Sequence, residues 1–411
     1  MKEYYSVSEP FLADVRAVVG DANVFTEPEK LEQYKTDEEY DPRRFRVPEA
    51  VVRPANAEEI AAVVKLCNKY NVPLTVRSGG TSLADGAIAV CGGIVLLMER
   101  LNKIIEMNTE AMYVVAEAGV RTVDIQKMAN EAGYLYAGDP CSAESCLIGG
   151  NLATNAGGSK AVRYGATRNP VYSLELVTPT GEIVEVGSRL KKCSTGYCME
   201  QLVMGSEGTL GIITKVTLKL QPMPPYRFDL LAVFDDPFKA LDVVPKIMQA
   251  GLNPTSMEYM DNSYVRACAD YIEFKGAPHY EDGIYVIITV ETFSEDELDM
   301  KMEQLDEPCE AAGAVEVLEA DDRIWAMRRN CQESISLVSK VSLTDDVVVP
   351  VDRIAPTIKE IMHIGSKYPF PIPVKINAHI GDGNLHIVLC KCDLDDATWE
   401  KIVHDFHEEV Y

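Results

Sequence analysis

Two histidines in a short glycine-containing stretch are the residues whose type and spacing point most directly to chemistry. The stretch His379–His386 reads HIGDGNLH, and strand-like residues lie on both sides of it. Its centre, Asp382-Gly383, is a favoured two-residue hairpin turn. Counting outward from this turn places His379 opposite His386 on one face, with Cβ atoms about 5 Å apart. Two imidazoles at that distance can share a divalent cation, although a plain hairpin with two polar residues fits the spacing equally well.

Three glycine-rich segments are candidates for binding a long ligand. The first, Arg77–Ser82, follows a predicted strand, and its adjacent glycines allow successive N–H groups to point at one anion such as a pyrophosphate. The second, Ile148–Ser159, holds two glycine pairs and suits neither a stable helix nor a strand, so a flat ligand could approach its backbone. The third, Gly205–Thr214, leads from a loop into a strand. Three such segments within about 140 residues favour one large phosphate-bearing cofactor over unrelated turns.

Strands and helices alternate around these segments. A strand at Val51-Val52 precedes a helix that begins at Asn56, with Glu59 completing a capping box, and Val72–Val76 is the next strand. The other elements predicted in this half are a strand at Tyr113–Ala118, a helix that Thr122 caps and that runs to Ala132 before Gly133, and strands at Leu174–Thr178 and Ile212–Leu220.

A proline cluster at residues 222–225 predicts a domain boundary. Beyond it, the strand-like stretches Phe228–Phe234 and Tyr285–Glu291 are each followed by a helical stretch and another strand-like segment. This doubled β-α-β pattern predicts an open α+β sheet with helices on one face. The acid-rich stretch Glu295–Glu310 has apolar residues at helical spacing and predicts a surface helix with a solvated face.

Composition and missing motifs exclude several classes of protein. Lys and Arg number 39 against 64 Asp and Glu, and a net charge of −25 over 411 residues disfavours binding to nucleic acid or to anionic membranes. The eleven cysteines lack disulfide or metal-binding spacing, which predicts free thiols in the cytoplasm. The start does not read as a signal peptide, and no apolar run approaches the roughly 20 residues of a membrane span. No GxGxxG or P-loop pattern supports a Rossmann or P-loop nucleotide site.

These segments together resemble the FAD-linked 2-hydroxy-acid dehydrogenases, which include glycolate oxidase D-subunits, FAD-dependent D-lactate dehydrogenases and D-2-hydroxyglutarate dehydrogenases. The likeness runs in family order from about Val51 to the C-terminus. It implies an α+β chain in which a vanillyl-alcohol oxidase, or PCMH-type, FAD-binding domain precedes a substrate (cap) domain with an open antiparallel sheet. The expected boundaries are a helical lead-in at 1–45, the FAD-binding domain at 46–222 and the cap domain at 223–411.

The resemblance also implies roles for individual residues. The first glycine-rich segment would hold the FAD pyrophosphate, the second would line the flavin, and the third would back the adenine side. His379 and His386 match two ligands of the family's metal, and Arg328 matches the arginine that binds the substrate carboxylate, so these three are the expected catalytic residues. The residues expected to bind FAD are Arg77, Ser78, Gly79, Gly80, Thr81, Ser82, Pro140, Gly149, Gly150, Thr154, Asn155, Gly157, Gly158, Glu207, Gly211, Ile212 and Ile213.

Two departures from the family pattern concern the metal and the substrate. The family takes its third metal ligand, a Glu, and an adjacent His from a Gly-Glu-His-Gly motif after the histidine hairpin, which this sequence does not contain. Because Glu400–Tyr411 looks like a helix cut off midway, that motif is expected beyond residue 411. At three positions where the hydroxyglutarate branch has Thr, Lys and Asn for a distal carboxylate, this sequence has Gln332, Thr344 and Val388. Loss of the Lys and Asn favours a small monocarboxylate.

The resemblance therefore implies an enzyme that oxidises a small D-2-hydroxy acid, D-lactate before others, to the 2-oxo acid, with FAD and one divalent metal (Zn, Fe or Mn). The first histidine is His279, so the N-terminal domain offers none for covalent attachment and FAD is expected to be noncovalent. With no second redox motif, electrons are expected to pass to an electron-transferring flavoprotein or an iron–sulfur subunit. Glycolate or D-2-hydroxyglutarate as substrate, and a non-catalytic FAD-containing subunit of a redox complex, remain alternatives.

Overall fold

The chain forms two compact units in a computed structural model that describes residues 4–38 and 44–411. The first unit takes in the described residues up to Gly158 and then Tyr164–Met223. The second takes in Ser159–Arg163 and Pro224–Tyr411. A five-residue segment of the N-terminal half therefore packs as part of the second unit, while the chain on both sides of it belongs to the first.

The first unit is built from two main sheets with helices packed on them. Its strands are β1 (Val24–Phe25), β2 (Ala50–Val52), β3 (Leu74–Arg77), β4 (Ile94–Leu97), β5 (Ile104–Asn108), β6 (Tyr113–Glu117), β7 (Tyr134–Leu135), β8 (Val171–Val177), β9 (Ile183–Gly187), β10 (Ile212–Lys219) and β11 (Gln221–Pro222). Its helical segments are α1 (Glu9–Val19), α2 (Pro28–Leu31), α3 (Ala57–Tyr70), α4 (Thr122–Glu131), α5 (Ile148–Thr154) and α7 (Met199–Val203). Most of the short helix α6 (Ala161–Tyr164) belongs to the five-residue segment of the second unit.

The order of these strands brings the predicted segments to sheet ends. One sheet has the order β1-β2-β4-β3, in which β2 and β3 run parallel to β4. The other is antiparallel, with the order β5-β6-β10-β8-β9, and β11 pairs with β7. The first glycine-rich segment begins at the carboxyl end of β3, and the third leads into β10. The predicted strands of this half are therefore confirmed, with bounds that differ by a few residues.

Helix α3 begins as its capping signal predicts. The Asn56 side chain accepts a hydrogen bond from the Glu59 N–H at 2.8 Å. The Glu59 carboxylate accepts from the N–H of Ala55 rather than from that of Asn56, also at 2.8 Å. The helix then buries the apolar face expected from its sequence, including Ile60, Val63, Val64 and Cys67.

Two local predictions for the first unit are wrong. Thr122 is the first residue of α4 rather than its cap, because its hydroxyl accepts instead from the Asn151 side chain at 2.6 Å. The lead-in is not only helical, since β1 adds an antiparallel strand to β2, with buried Val24 opposite Val52. Residues 1–3 and 39–43 of the lead-in lie outside the described residues.

The second unit contains one seven-stranded sheet. Its strands are β12 (Tyr226–Phe234), β13 (Ser256–Met260), β14 (Ile284–Thr292), β15 (Glu316–Glu319), β16 (Ser342–Val348), β17 (Lys375–His379) and β18 (Asn384–Cys390). Neighbouring strands are antiparallel in the order β15-β12-β14-β13-β17-β18-β16. Its helices are α8 (Pro237–Gln249), α9 (Asn262–Tyr271), α10 (Glu295–Ala312), α11 (Asp322–Arg329), α12 (Cys331–Ser334), α13 (Ile354–Gly365) and α14 (Asp396–Val410).

Helices cover both faces of this sheet, so the prediction of helices on one face is wrong. One face packs with α8, α10, α13 and α14 in a large apolar core. The other packs with α9, α11 and α12 in a smaller core that includes Tyr264, Met327 and Cys331. Strand β14 shows the effect of this double cover, since all nine of its residues are buried. A strand with one side facing solvent would instead alternate between buried and exposed residues.

The longest described helix, α10, has the predicted amphipathic character. Its first turn carries Glu295, Asp296 and Glu297, and Leu305 and Cys309 are buried against the sheet. The acidic residues therefore form a surface face, as expected. Among residues 4–38 and 44–411, no helix has the length and apolar character needed to cross a membrane.

Candidate active site

The three glycine-rich segments meet at one cavity in the first unit. The cavity encloses about 900 Å³, part of it open to solvent, which is in the size range of cofactor sites. The residues expected to bind FAD that line it are Ser78, Gly79, Gly80, Thr81, Ser82, Gly149, Gly150, Thr154, Glu207, Gly211, Ile212 and Ile213. Segments that are up to about 140 residues apart in sequence are thus brought to a single wall.

The start of the second segment is helical, contrary to expectation, and its glycines have a packing role. Gly149 and Gly150 lie in α5. A Cβ at Gly149 would be 2.7 Å from the Ala118 Cβ, and one at Gly150 would be 2.9 Å from the Ser78 Cβ. Both positions need glycine because α5 packs directly on the end of β6 and on the first glycine-rich segment. Close packing, rather than an irregular backbone, explains the first glycine pair.

Some residues expected to bind FAD are not part of the cavity wall. Arg77 points elsewhere, since its Nη1 donates to the Thr36 carbonyl at 2.7 Å. The Asn155 side chain accepts from the Arg168 N–H at 3.0 Å. The full set that does not line the cavity is Arg77, Pro140, Asn155, Gly157 and Gly158.

Residues outside the predicted set complete the wall. Met98 follows β4, whose carboxyl end lies beside that of its parallel neighbour β3. A parallel strand next to β3 is therefore the signal that could have placed Met98 near the first glycine-rich segment. Ser142, Cys146 and Leu147 carry no pattern that distinguishes them from an ordinary loop. The lining residues outside the three predicted segments are Val76, Gly86, Ala87, Met98, Ser142, Cys146 and Leu147. Asn151, Ala153, Ala156 and Gly208 lie within the second and third segments but were not among the residues expected to bind FAD.

The chemistry of the wall fits a phosphate-bearing cofactor. The Ser78 hydroxyl is buried, and no described residue forms a hydrogen bond with it. A buried hydroxyl in this state needs a partner from a ligand or water. Thr81 and Ser82 add two more hydroxyls beside glycine backbone, while apolar Met98 and Ile213 suit a flat ring. The residues present therefore fit FAD.

The histidine hairpin in the second unit has a different register from the predicted one. Its turn spans residues 380–383, and β17 and β18 pair His379 with Asn384 and Asn377 with His386. The predicted two-residue turn is wrong, since Gly383, at φ +85°, is instead bound to the residue after β16: its carbonyl accepts from the Val349 N–H at 3.0 Å.

The two imidazoles nevertheless lie together on one face of the sheet, as predicted. They are diagonal rather than directly opposite neighbours, and a shift of two residues preserves the alternation of side chains. The ring centroids of His379 and His386 are 5.1 Å apart, with the ring planes at 87°.

Glu258 connects two of the three expected catalytic residues. It lies on β13 directly opposite His379 on β17. Both carboxylate oxygens are 2.8 Å from His379 Nδ1, and Oε2 is 2.6 Å from Nη2 of Arg328. Each of these three residues is 6% exposed or less. Because an ionised carboxylate only accepts hydrogen bonds, His379 donates from Nδ1. In a neutral imidazole with its proton on Nδ1, the other nitrogen, Nε2, carries the lone pair.

An amide orients the second imidazole in the same way. His386 Nδ1 is 2.7 Å from Oδ1 of Asn377, its cross-strand partner. The Asn384 Nδ2 lies 3.4 Å from Nε2 of the same ring. A neutral imidazole that donates from Nδ1 keeps the lone pair on Nε2, the atom that a metal ion would take.

Burial and nearby charges set the protonation states of this cluster. Burial alone would raise the pKa of Glu258, but the Arg328 guanidinium and the hydrogen bond from His379 hold it at about 2, so this carboxylate is ionised at neutral pH. Loss of water around His386, together with the neighbouring His379 ring and the charge of Arg328, holds the pKa of His386 well below its usual value. Its imidazole is therefore neutral at pH 7.

The cluster contains two imidazole nitrogens that could act as ligands of one cation. Within residues 4–38 and 44–411, no group of three or more His, Cys, Asp or Glu side chains is arranged to hold a metal ion. His379 and His386 each have Nδ1 bound to an oxygen, of Glu258 and Asn377, which is the outer hydrogen bond that metal-binding histidines commonly make. The residues present fit two ligands of a divalent cation.

Sequence reasoning missed Glu258 and Asn377, although each carried a signal. Glu258 is the acid in the otherwise apolar strand Ser256–Met260, all five residues of which are buried. Asn377 stands two residues before His379, so strand alternation places both on one face. A buried acid in a strand must have a partner, but only the fold shows that the partners are Arg328 and His379.

Solved structures define the class of protein to which this fold belongs. A structure of p-cresol methylhydroxylase with substrate bound aligns with a TM-score of 0.81 at 15% identity, covering 98% of this chain and 87% of that one. Alkyldihydroxyacetonephosphate synthase aligns with a TM-score of 0.80 at 18% identity, covering 100% and 81%. At these identities the likeness concerns the fold alone. The chain has the vanillyl-alcohol oxidase, or PCMH-type, FAD-binding fold, and the predicted α+β class is confirmed.

Within that class, the chain belongs to the FAD-linked 2-hydroxy-acid dehydrogenase family. The family described as "FAD binding domain" matches residues 48–187, and "FAD linked oxidases, C-terminal domain" matches residues 223–411. The D-lactate dehydrogenase of Anaerostipes hadrus is 37% identical over 376 residues, which cover 89% of this chain and 78% of the relative. The protein is therefore an FAD-binding oxidoreductase, and the predicted family is confirmed.

Other relatives carry different substrates in their names. The glycolate oxidase subunit GlcD of Bacillus subtilis is 32% identical, over 90% of this chain and 78% of its own length. The D-2-hydroxyglutarate dehydrogenase of Stutzerimonas stutzeri is 30% identical, over 95% and 84%. The shared feature of these names is a 2-hydroxy acid, which defines the substrate class of the family.

Replacing Glu258 by Gln should destabilise the second unit. The variant leaves the Arg328 guanidinium buried beside a neutral amide, and breaking a buried ion pair in this way costs about 3–5 kcal/mol. Urea unfolding followed by tryptophan fluorescence measures this unit, since Trp325 and Trp399 are the only tryptophans of the chain. The matched control is Glu319→Gln, an exposed residue on the outer strand β15.

Acid should reveal the same ion pair. Because the folded pKa of Glu258 is about 2 and that of an unfolded Glu is about 4.3, its stabilising contribution is complete above about pH 5 and is lost as the pH falls towards 2. The Glu258→Gln variant lacks this component of the acid dependence. If its unfolding free energy stays within about 1 kcal/mol of wild type, the pair does not stabilise the unit.

Proposed function

We propose that this protein oxidises a small D-2-hydroxy acid, D-lactate before others, to the corresponding 2-oxo acid. The observation that carries the proposal is the joint contact of Glu258 with Arg328 and His379, beside His386. In this cluster the Arg328 guanidinium, a group that can bind a carboxylate, lies close to two imidazoles on one buried face of the sheet. The name of the relative from Anaerostipes hadrus favours D-lactate within the class.

The first-unit cavity is proposed as the FAD site, with FAD bound noncovalently. Bound FAD supplies a two-electron acceptor for the α-hydride of the substrate. The Ser78, Thr81 and Ser82 hydroxyls and the N–H groups of Gly79 and Gly80 would hold the pyrophosphate. The segment around α5 would lie against the flavin ring, and the residues at the start of β10 would lie against the adenine half.

Arg328 is proposed to bind and orient the carboxylate of the substrate. A guanidinium has five N–H donors in a planar arrangement, so one edge can bind Glu258 while another faces a ligand. The ionised Glu258 keeps the guanidinium in place and compensates its charge while the site is empty of substrate. His379, held by the same carboxylate, stays fixed relative to Arg328.

A divalent cation, Zn, Fe(II) or Mn, is proposed to bind at His379 and His386. Their Nε2 atoms would hold it, and it would supply Lewis acidity that lowers the pKa of the substrate hydroxyl. Two imidazoles do not distinguish among these metals. The further carboxylate ligand expected from the family resemblance belongs to a motif that is not in the 411 residues.

The preference for a small substrate rests on three neutral residues that lie together. Thr344 and Val388 are a cross-strand pair on β16 and β18. Thr344 Oγ1 is 3.5 Å from Oε1 of Gln332. These are the positions at which the hydroxyglutarate branch is expected to bind a distal carboxylate. None of these three side chains would give a second carboxylate a cation in exchange for its lost water.

One buried lysine favours a dicarboxylate as the second candidate. Lys375 is the other cross-strand neighbour of Val388 and is 5% exposed. Its ammonium donates to the Ser263 carbonyl at 3.2 Å and lies 5.7 Å from the Tyr264 ring centroid. No carboxylate among the described residues forms an ion pair with it. A substrate such as D-2-hydroxyglutarate could supply that carboxylate. Glycolate would reach neither Lys375 nor the three neutral residues.

Electrons are proposed to leave through a protein partner. The chain has no motif for a second redox group, so FAD reduced by the substrate must be reoxidised from outside. An electron-transferring flavoprotein or an iron–sulfur subunit fits this requirement. We place the reaction in the cytoplasm, where eleven thiols without disulfide spacing are compatible with the redox conditions.

Acid precipitation of the purified protein should release FAD into the supernatant. The glycine-lined cavity and the lack of any histidine before His279 leave noncovalent binding as the simpler mode. Gly150→Val should purify with little flavin, because its side chain would collide with Ser78. The measurement is the absorbance of released flavin per chain. Colour that stays with the pellet would contradict the noncovalent mode.

D-Lactate should be the best of a panel of hydroxy acids that includes L-lactate, glycolate and D-2-hydroxyglutarate. With an artificial dye as acceptor, we expect kcat/KM for D-lactate to exceed that for D-2-hydroxyglutarate by about tenfold or more, because the distal positions are neutral. Lys375→Met should then leave D-lactate oxidation unchanged. A higher kcat/KM for D-2-hydroxyglutarate that Lys375→Met removes would select the second candidate. No turnover of any acid by FAD-loaded protein would favour a non-catalytic subunit.

Arg328→Lys should reduce activity by about 100-fold while FAD stays bound. An ammonium cannot bind a carboxylate and Glu258 with the paired geometry of a guanidinium, and loss of orientation has effects of this size. The matched control is Arg329→Lys, because Arg329 is the exposed neighbour of Arg328 on α11 and carries the same charge. Near-normal turnover of Arg328→Lys would mean that Arg328 is structural and that the proposed substrate orientation is wrong.

Elemental analysis of the purified protein should find about one divalent metal per chain, and His386→Ala should contain none. The variant removes one of the two imidazoles that present Nε2. The flavin spectrum should persist, because no FAD-cavity residue is changed. Equal metal content in both proteins would exclude this site.

A further inference from the structure

The segment Ser159–Arg163 belongs to the second unit although the chain on both sides of it belongs to the first. In the sequence it follows directly on the glycine pair Gly157-Gly158. Its last two residues contact the histidine turn and the beginning of β13. These contacts give the segment a specific relation to the imidazole cluster.

Val162 packs against the turn between the two histidines. Gly381 lies in this turn, and a Cβ at that position would be 2.8 Å from Val162 Cγ2 and 3.3 Å from the Met257 Cβ. The N–H of Gly381 also points at the Met257 carbonyl, 3.4 Å away. The turn therefore packs at Gly381 against both Val162 and the Met257 residue of β13. Any side chain at position 381 would displace one of them.

Arg163 connects two strands just before Glu258. Its Nη1 donates to the Glu291 carbonyl at 2.8 Å and to Thr255 Oγ1 at 3.0 Å. The Thr255 hydroxyl in turn donates to the Glu291 carboxylate at 3.2 Å, and both residues are buried. Thr255 precedes Glu258 by three residues, so this arrangement fixes the strand that carries the central carboxylate.

These contacts matter because the diagonal histidine pair depends on its turn. Residues 380–383 lie outside the ladder between β17 and β18. The ladder therefore does not determine their conformation, which depends on the turn's own bond from the Asp382 N–H to the His379 carbonyl, on the bond from Val349 to Gly383 and on packing from outside. A shift of about 1 Å in a positioned group can cost about 100-fold in rate.

We propose that Val162 and Arg163 are positioning residues for the imidazole cluster. Val162 holds the turn between His379 and His386, and Arg163 holds the strand of Glu258. Neither residue touches a reacting group. The catalytic meaning of the inference rests on the proposed function, whereas its geometric part concerns only this chain.

Nitrogen NMR of the histidine side chains tests the geometric part without substrate or added metal. The full FAD-loaded chain has six histidines, and His379→Gln and His386→Gln assign the two of interest. In Arg163→Gln and in Val162→Ala, the imidazole signals of His379 and His386 should shift by more than their linewidths. The four internal controls, which should not move, are His279, His363, His404 and His407.

Matched variants separate positioning from general damage. Arg163→Lys, which keeps a donor and a charge, should restore the signals in part, and Arg353→Gln, an exposed charge loss in the same unit, should leave all six unchanged. Unchanged signals of His379 and His386 in both test variants would overturn the proposal. Shifts of all six histidines would also overturn it, because they would indicate a general structural role.

A double-mutant cycle tests the contact itself. Gly381→Ala should perturb both imidazoles, and adding Val162→Ala should reduce that perturbation by removing Cγ2. Strictly additive effects would contradict the contact. Once a substrate is established, kcat of Arg163→Gln should fall about tenfold or more with little change in FAD content. If no hydroxy acid is oxidised, the proposed function fails, yet the NMR result still decides this inference.

Discussion

The buried carboxylate of Glu258 is the group on which the second unit's chemistry depends. An isolated ionised carboxylate in a protein interior is costly, and it is tolerated here because Arg328 and His379 both contact it. The three residues come from β13, α11 and β17, which are far apart in the chain. The buried carboxylate is therefore compensated only where the fold brings all three elements together.

That requirement explains why both faces of the seven-stranded sheet are covered. One face packs α8, α10, α13 and α14 in an apolar core that stabilises the sheet. The other carries the polar cluster, and α9, α11 and α12 exclude water around it. The helix α11 has a double role, since buried Ile324 and Met327 dock it and Arg328 then reaches Glu258. A helix on this face is therefore part of the site rather than an addition to it.

The first unit solves a different physical problem, which is to bring three backbone segments close enough to surround a flat, charged cofactor. Its glycines are needed because neighbouring protein atoms occupy the space that a side chain would fill, as Gly149 against Ala118 and Gly150 against Ser78 show. The same close packing leaves the Ser78 hydroxyl buried without a partner among the described residues. Dense packing of the wall and hydrogen-bonding capacity toward a ligand are thus two results of one arrangement.

Sequence alone determined the features that depend on local chemistry. The glycine-rich segments, the α3 capping signal, most strands and the shared face of the histidines can be inferred from residue type and period, because these depend on near neighbours in the chain. The family resemblance added the cofactor and Arg328. Side-chain alternation placed His379 and His386 on one face even though the predicted register was off by two residues.

Only the tertiary structure decided the contacts between distant segments. The sequence could not show that Gly383 accepts a hydrogen bond from Val349, just after β16, or that Glu258 faces both Arg328 and His379. It also could not show that α5 is a helix whose glycines are required by packing. A carboxylate in a strand has many conceivable partners, and a glycine has many conceivable reasons. Which one applies is set by the energy of burying that group against particular neighbours, and those neighbours exist only once the chain has folded.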